Sequence, residues 1–362
     1  MSTDTLFSSG GPAAAVPSLT IRRPDDWHVH LRDGAMLEAV LPFTAQQFRR
    51  AIVMPNLVPP VVTVPMAQAY RERILAALPA GSDFEPLMTC YLTDHTEPDE
   101  IERGYAQGVW RAAKLYPAGA TTNSHAGVTD IAALAPVLER MERIGMALLV
   151  HGEATDPAID IFDREAAFME AEMLPLLRRH EGLKVVVEHA TTAETVALVR
   201  AHAGQAACTI TPHHLVINRT SIFQGGLRPH LYCLPVAKRE RHRLALREAA
   251  TSGEACFMLG TDTAPHRRGA KEAECCSAGV FGGATALQTY VQVFDEEGAL
   301  DRFEAFASLN GARFHGLPVN TGTVTLLRKP ATALAAVSVE DEDVVVFRGG
   351  EPLPWSIGEI RP

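Results

Sequence analysis

The sequence lacks an apolar run long enough to cross a membrane, and it lacks a cluster of basic residues. Its 43 acidic residues outnumber its 33 lysines and arginines, which gives a formal net charge of -10, and neither sign forms long runs. A nucleic-acid-binding protein is expected to carry a clustered basic face. The composition therefore argues against insertion into a membrane and against binding to nucleic acid.

The sequence also lacks a disulfide pattern and a secretory signal. Its six cysteines have no CxxC spacing. Residues 1–18 are rich in Ser, Gly, Pro and Ala, without the basic start and sustained apolar run of a signal peptide. We therefore expect reduced thiols in a cytoplasmic protein, and a flexible N-terminal tail over residues 1–18.

What the chain does contain is an alternation of short β-rich runs with stretches of helical apolar spacing. The predicted strands are Trp27–Leu31, Ala51–Met54, Pro86–Leu92, Ala112–Leu115, Ala147–Val150, Lys184–Glu188, Ala207–Ile210 and Cys256–Gly260. Strands that alternate with helices imply a parallel sheet. Eight such units predict an α/β fold, a (β/α)8 TIM barrel over residues 19–320. We expect residues 321–362 to form a C-terminal appendage packed on the barrel.

Chemically capable residues stand in or directly after most of these runs. His28 and His30 lie in the first predicted strand, and His151, His189 and Asp262 follow three later ones. Catalytic groups of such barrels gather at the carboxyl ends of the strands. The pattern therefore predicts one active site at that end of the barrel.

The His28-Val29-His30 motif is the strongest local signal for a metal. Residues i and i+2 of a strand point to the same face, so the two imidazoles stand about 7 Å apart along it. Alone, the pair is weak evidence for a metal and is more simply interpreted as two structural or surface histidines. Together with His151, His189 and Asp262, it forms a set that suits zinc or another borderline divalent ion.

Lys114 lies in the apolar run Ala112–Leu115 and has two interpretations. It either extends its ammonium to water or to a carboxylate, or it has reacted with carbon dioxide. The resulting carbamate, N6-carboxylysine, is an anion whose two oxygens can bridge two metal ions. Together with Asp262 and a bridging hydroxide, the carbamate would cancel only part of the charge of two divalent ions. The remaining positive charge would attract an anionic substrate.

Several motifs occur in order and together resemble one family. They are Asp26-Trp27-His28-Val29-His30-Leu31-Arg32-Asp33, Met54-Pro55-Asn56, Ala113-Lys114-Leu115-Tyr116-Pro117, Val150-His151-Gly152-Glu153, Val187-Glu188-His189 and Gly260-Thr261-Asp262-Thr263-Ala264-Pro265-His266. Over roughly residues 19–360 the chain closely resembles the class II, bacterial-type dihydroorotases of the amidohydrolase superfamily. The resemblance implies a homodimer of metal-dependent barrels. It also implies reversible cyclisation of N-carbamoyl-L-aspartate to L-dihydroorotate in pyrimidine biosynthesis, through a metal-bridging hydroxide.

The resemblance also implies roles for individual residues. Two zinc ions per subunit would be held by His28, His30 and Asp262 on one side and by His151 and His189 on the other, with carboxylated Lys114 and hydroxide as bridges. Asp262 would also shuttle the proton. Substrate contacts would come from Arg32, Asn56 and His266 to the α-carboxylate, from the backbones of Leu234 and Ala278 to the ring, and from Thr121 and Thr122 of a lid loop over residues 117–124.

Simpler interpretations of these contacts stay open. Arg32 also fits a surface ion pair with Asp33, Asn56 fits a turn after Pro55, and the loop over residues 117–124 fits an exposed linker. His213 is expected to be structural. The sequence assigns no role to His214 or to the adjacent Cys275 and Cys276.

Three other functions compete with the dihydroorotase interpretation. A hydantoinase or dihydropyrimidinase shares the two-metal barrel and the modified lysine, but it has no need of Arg32, Asn56 and His266 for a substrate carboxylate. A deaminase of the superfamily usually works with one metal and has no use for Lys114. An inactive barrel that serves as a scaffold would have lost metal ligands, and all six candidates are present.

Overall fold

A computed structural model describes residues 17–362 of the protein. The first nine of its strands lie between Ser18 and Leu259. The first is β1 (Ser18–Arg22), and the next eight form one parallel sheet in chain order. These are β2 (Asp26–Val29), β3 (Arg50–Val53), β4 (Glu85–Tyr91), β5 (Ala112–Leu115), β6 (Ala147–Val150), β7 (Val185–Val187), β8 (Ala206–Ile210) and β9 (Phe257–Leu259). The sheet closes where Asp262 N donates to His28 O (2.9 Å) and His30 N donates to Thr263 O (3.0 Å). The prediction of a (β/α)8 barrel is therefore confirmed.

The barrel strands are continuous apolar runs because both of their faces are covered. Every residue of β6 and β7 is buried, as expected for parallel strands between a filled interior and an outer layer of helices. The outer and connecting helices are α1 (Gly34–Gln47), α2 (Val64–Ala76), α3 (Pro98–Ala106), α4 (Ala135–Ile144), α5 (Arg164–Phe168), α6 (Leu174–Arg179), α7 (Ala193–Ala201), α8 (Pro212–Val216), α9 (Glu240–Thr251), α10 (Arg268–Lys271), α11 (Ala286–Glu296) and α12 (Asn310–Phe314). None of the helices within residues 17–362 is long and apolar enough to span a membrane.

Local sequence sets the ends of several helices. The Asp33 side chain caps α1 by accepting from Gly34 N at 3.0 Å, and Gly145 ends α4 with a φ of 73°. The predicted helix over residues 164–179 runs from α5 to α6 through a π-helical turn, Met169–Met173. Ordinary capping residues thus set the start of α1 and the end of α4.

Helix α12 closes the end of the barrel opposite the predicted site. His315 stacks on Trp27 of β2, with the ring centroids 4.7 Å apart and the rings 13° from parallel. A Cβ at Gly311 would lie 2.0 Å from Trp27 Nε1, so only glycine fits there. Close packing of α12 on Trp27 therefore seals this end.

The two ends of the described chain share a sheet outside the barrel. β1 pairs antiparallel with β10 (Thr323–Leu327), which also pairs with β15 (Ser356–Arg361). Two smaller pairs complete the C-terminal region: β11 (Ala331–Thr332) with β14 (Pro352–Leu353), and β12 (Ala336–Val339) with β13 (Glu342–Val345). Of the predicted tail, residues 1–16 lie outside the described residues. The division into a barrel over 19–320 and an appendage over 321–362 stays a prediction.

Candidate active site

His28, His30 and Asp262 converge at the carboxyl end of the barrel. His28 Nε2 lies 3.3 Å from Asp262 Oδ1, and His30 Nε2 lies 3.1 Å from the same oxygen. The two imidazole nitrogens are 3.3 Å apart, because the side chains leave the same face of β2 and its extension. All three side chains are buried. The sequence motif and the distant aspartate therefore form one compact donor group.

His151 and His189 stand beside this group: His151 directly follows β6, and His189 comes two residues after the end of β7. Their ring centroids are 4.8 Å apart, and His189 is 5.1 Å from His28. His189 has a φ of 43° and Asp262 a φ of 45°, a left-handed conformation that is unusual for such residues and often found at functional sites. His151 Nε2 lies 2.8 Å from Glu153 Oε2. All four candidate histidines thus gather around one point.

Lys114 is fully buried in β5 and pairs with Glu188, while its ammonium also lies 4.6 Å from the centre of the Tyr116 ring. The other oxygen of Glu188, Oε1, lies 2.9 Å from His28 Nδ1, in an ionic contact rather than an aligned hydrogen bond. The carboxylate partner therefore lies within the histidine cluster and not away from it.

Electrostatics separate the protonation states of the cluster. Burial would lower the pKa of His28, but Glu188 and Asp262 raise it to about 9. Burial lowers the pKa of His30 to about 4. Burial opposes ionisation of Asp262, yet the charge of His28 and hydrogen bonds from His28 and His30 hold the pKa of that carboxyl well below its usual range. Burial also lowers the pKa of Lys114, which favours the neutral amine.

Arg32 and His266 form the wall of the site next to His30. Arg32 Nη2 lies 3.1 Å from His266 Nε2, and Arg32 Nε donates to Pro265 O at 3.2 Å. No carboxylate within residues 17–362 forms a salt bridge with Arg32, whereas Asp33 pairs with Arg73 at 2.8 Å. The alternative ion pair between Arg32 and Asp33 is therefore not formed, and the guanidinium charge is free to meet an anion.

Asn56 links His30 to the predicted lid loop. Its Oδ1 lies 2.8 Å from His30 Nδ1, and its Nδ2 donates to Thr122 O at 3.1 Å. The loop is held further because Asn123 Nδ2 donates to Asn56 O (3.0 Å) and Thr122 Oγ1 donates to Ala278 O (3.3 Å). The loop thus folds over the site in this structure instead of extending into solvent.

These residues line a small cavity at the carboxyl end of the barrel. The predicted site residues that line it are His28, His30, Arg32, Asn56, Thr121, Thr122, His151, His189, Leu234, Asp262 and Ala278. Two others adjoin the cavity. Lys114 pairs with Glu188, which lies between it and His28, and His266 lies beside Ala278, whose carbonyl is 2.9 Å from His266 Nε2. The structure therefore brings every predicted site residue to one place.

Three neighbours of the cavity with polar side chains have no role predicted from the sequence. Tyr116 and Cys233 line it, and Glu188 joins Lys114 to His28. Tyr116 stands two residues after Lys114, so the alternation of a strand would place it on the same face as that lysine. Glu188 directly precedes the predicted ligand His189. The Cys233 position has no such signal, because a loop carries it.

His213 and His214 lie behind the cavity wall. His214 is fixed by Thr211 Oγ1 (2.8 Å) and Pro235 O (3.1 Å), with Cys233 Sγ 3.5 Å away. His213 is fully buried and neither ring nitrogen has a hydrogen-bond partner among the described residues. Neither histidine lines the cavity.

The donor set fits divalent metal ions. His28, His30 and Asp262 form one group whose ligand atoms lie within 4.8 Å of one another, and His28, Glu188 and His189 form a second. His189 Nδ1 is buried and has no hydrogen-bond partner among the described residues, so this nitrogen is available as a donor to a metal ion. Imidazole and carboxylate donors of this kind suit zinc and its neighbours.

A family model and known proteins match almost the whole chain. The model of the amidohydrolase family matches residues 15–330. A dihydroorotase of Cupriavidus taiwanensis is 61% identical over 337 residues, which are 93% of this chain and 98% of the relative.

Two solved structures share the fold as well as the sequence. The dihydroorotase from Campylobacter jejuni is 34% identical with a TM-score of 0.88, and the match covers 96% of this chain and 99% of that one. The dihydroorotase from Saccharomyces cerevisiae, solved in complex with 5-fluoroorotic acid, is 31% identical with a TM-score of 0.89 and covers 96% and 100%.

Proposed function

Because this chain belongs to the amidohydrolase family and, within it, to the dihydroorotases, we propose that its cavity interconverts L-dihydroorotate and N-carbamoyl-L-aspartate. The chain is thus a hydrolase of a cyclic amide. The observation that carries the choice of substrate is the guanidinium of Arg32, which lies in the cavity wall beside the donor cluster and has no carboxylate partner within residues 17–362. A hydantoinase acting on an uncharged ring would have no use for this charge.

The substrate carboxylate would bind at the end of the cavity formed by Arg32, Asn56 and His266. Arginine suits this role, since its planar fork can donate two parallel hydrogen bonds to one carboxylate. His266 contributes a neutral donor or acceptor, because burial and the charge of Arg32 lower its pKa to about 3. The backbones of Leu234 and Ala278 line the same cavity and would contact the ring. The ring amide is thereby directed towards Asp262 and the histidines.

The proposal includes two zinc ions, held by His28, His30, Asp262, His151 and His189 and bridged by carboxylated Lys114. When bound, such ions lower the pKa of a water molecule and polarise a carbonyl group. A lowered pKa of the Lys114 amine supports carboxylation, since the neutral amine is the form that reacts with carbon dioxide.

Asp262 would move the proton of the reaction. Its carboxyl is ionised at neutral pH, so it can accept a proton from the attacking water and deliver it to the departing ring nitrogen. Ring closure reverses the path and needs the protonated carboxyl, so lower pH favours cyclisation. Thr121 and Thr122 on the lid loop would exclude bulk water, which competes with ring closure.

The biological setting completes the proposal. Dihydroorotate chemistry assigns the enzyme to pyrimidine biosynthesis, and the family resemblance implies a homodimer. All six cysteines are free, which supports a reducing, cytoplasmic location.

Turnover of two substrates by the purified, metal-loaded chain tests the proposal. We expect L-dihydroorotate to be hydrolysed with a far higher kcat/KM than 5,6-dihydrouracil, together with about two metal equivalents per chain and loss of activity after chelation. A preference for dihydrouracil would replace the proposal by a dihydropyrimidinase. Absence of both activities in a protein with two bound metals would remove it altogether.

A further inference from the structure

Lys271, a buried lysine outside the predicted site, joins two loops at the cavity wall. Its ammonium donates to three backbone carbonyls: Tyr232 O (2.8 Å), Ser277 O (2.7 Å) and Gly279 O (2.8 Å). The side chain is 3% exposed, and no carboxylate within residues 17–362 forms a salt bridge with it. An ammonium has three N–H donors. The three carbonyls therefore accept a hydrogen bond from every N–H donor of the ammonium, and no counter-ion is needed for this.

Each of the two loops places predicted ring contacts in the cavity lining. One carries Tyr232 and, two residues later, Leu234, while the other carries Ala278 between the two carbonyls of Ser277 and Gly279. Gly279 N also donates to Tyr232 O at 3.0 Å. The predicted ring contacts, Leu234 and Ala278, thus lie on separate loops that meet at one ammonium.

A buried ammonium constrains its surroundings strongly. Each unmet N–H donor of a charged group costs considerable free energy in the interior, so the three carbonyls must stay directed at Lys271. The constraint extends further, because Ala278 O contacts His266 Nε2 (2.9 Å) and Thr122 Oγ1 of the lid loop (3.3 Å). The position of the Ala278 segment therefore affects both the carboxylate end of the cavity and the lid.

We propose that Lys271 is a positioning residue for this reaction: its ammonium sets the separation of the Leu234 and Ala278 backbones that contact the substrate ring. The inference rests on the proposed function. It assigns to Lys271 no contact with the substrate and no part in proton transfer. Its loss should therefore weaken substrate binding more than it slows the chemical step.

The test compares Lys271→Met with a matched control, Lys238→Met. Lys238 is also buried, at 4% exposure, but within residues 17–362 its ammonium donates only to Val236 O (2.8 Å), two residues away in the same loop. Both variants lose a buried charge, and only the first loses a link between loops. We expect Lys271→Met to raise KM for L-dihydroorotate about tenfold and to lower kcat by less than about threefold, so that kcat/KM falls by about 10- to 30-fold, within the loss of about 10²-fold that a misplacement of about 1 Å can cause. Lys238→Met should keep the KM of the wild type, and both should keep two metal equivalents.

The outcomes separate the inference from the proposed function. Wild-type protein that does not turn over dihydroorotate refutes the function itself. An active wild type whose KM is unchanged in Lys271→Met, or is raised equally in both variants, overturns the positioning role. If the methionine variant does not accumulate in folded form, Lys271→Gln decides, since its shorter side chain has only two N–H donors for three carbonyls and at least one contact is lost: a raised KM at normal melting temperature supports the role, and a wild-type KM excludes it.

Discussion

Arg32→Gln is expected to separate substrates by their charge. The Arg32 guanidinium is half-buried in the cavity wall and held at Nε by Pro265 O (3.2 Å), so it would meet a substrate carboxylate without rearranging. Removing one partner of a buried, hydrogen-bonded charge pair costs about 2–5 kcal/mol. This corresponds to a loss of about 30- to 5,000-fold in kcat/KM for L-dihydroorotate. Turnover of 5,6-dihydrouracil, which has no carboxylate, should change less than about twofold.

The backbone at Arg32 makes this substitution interpretable. Its φ of 60° is left-handed, and Gln has the same strain there as Arg because both carry a Cβ. The Tyr70 hydroxyl donates to Arg32 O at 2.6 Å, a backbone contact that the variant keeps. Arg73→Gln is the matched control, since its guanidinium pairs with Asp33 outside the cavity. That control should leave both activities unchanged.

Steady-state kinetics with both substrates provide the assay. Where turnover of the uncharged ring is too slow to measure, the affinities of orotate and uracil by calorimetry serve the same comparison. An equal loss of activity or affinity for both ligands would show that Arg32 shapes the cavity but does not recognise the substrate carboxylate. No loss on either would place the carboxylate elsewhere.

Three further predictions concern proton transfer, pH and packing. Asp262→Ala should lower kcat in both directions by at least about 10²–10⁴-fold, because the proton carrier is lost; near-normal rates in either direction would remove it from the mechanism. Burial lowers the pKa of His315 from 6.5 to about 3, so the neutral form stabilises the fold above pH 6.5 and stability is lost as pH falls towards 3. At pH 5 the loss is about 2 kcal/mol, and chemical denaturation at pH 5 and 7.5 should show a smaller difference for His315→Phe; an equal difference contradicts this. Gly311→Ala should destabilise by about 1–3 kcal/mol because its Cβ would overlap Trp27, whereas Gly282→Ala, which has space, should melt as the wild type does.

The barrel could be predicted from the sequence because buried parallel strands are continuous apolar runs. The predicted limits of β5 and β6, Ala112–Leu115 and Ala147–Val150, are those of the structure. β7 was predicted as Lys184–Glu188 and spans Val185–Val187. Glu188 leaves the strand there to contact Lys114 and His28. The C-terminal limit of β7 thus differs from the prediction because Glu188 turns towards the site.

The contacts that hold the site could not be predicted, since they join residues far apart in the chain. Lys271 and Tyr232 are 39 residues apart, and a lysine in a short polar helix reads as exposed. Burial of Lys271 follows only from how two loops fold back on the barrel rim. Local periodicity carries no information on such loops.

Glu188 explains why two interpretations of Lys114 that compete in the sequence are compatible in the structure. A lysine paired with a carboxylate argues against carboxylation, because the ion pair favours the charged amine. Conversion to a carbamate would also leave Glu188 facing a second anion in a buried site, at a large electrostatic cost. His28 offsets part of this cost, since its Nδ1 lies 2.9 Å from Glu188 Oε1, the oxygen that does not face Lys114. The carboxylate therefore has a partner in either form of the lysine, and the Lys114–Glu188 contact does not contradict a bridging role.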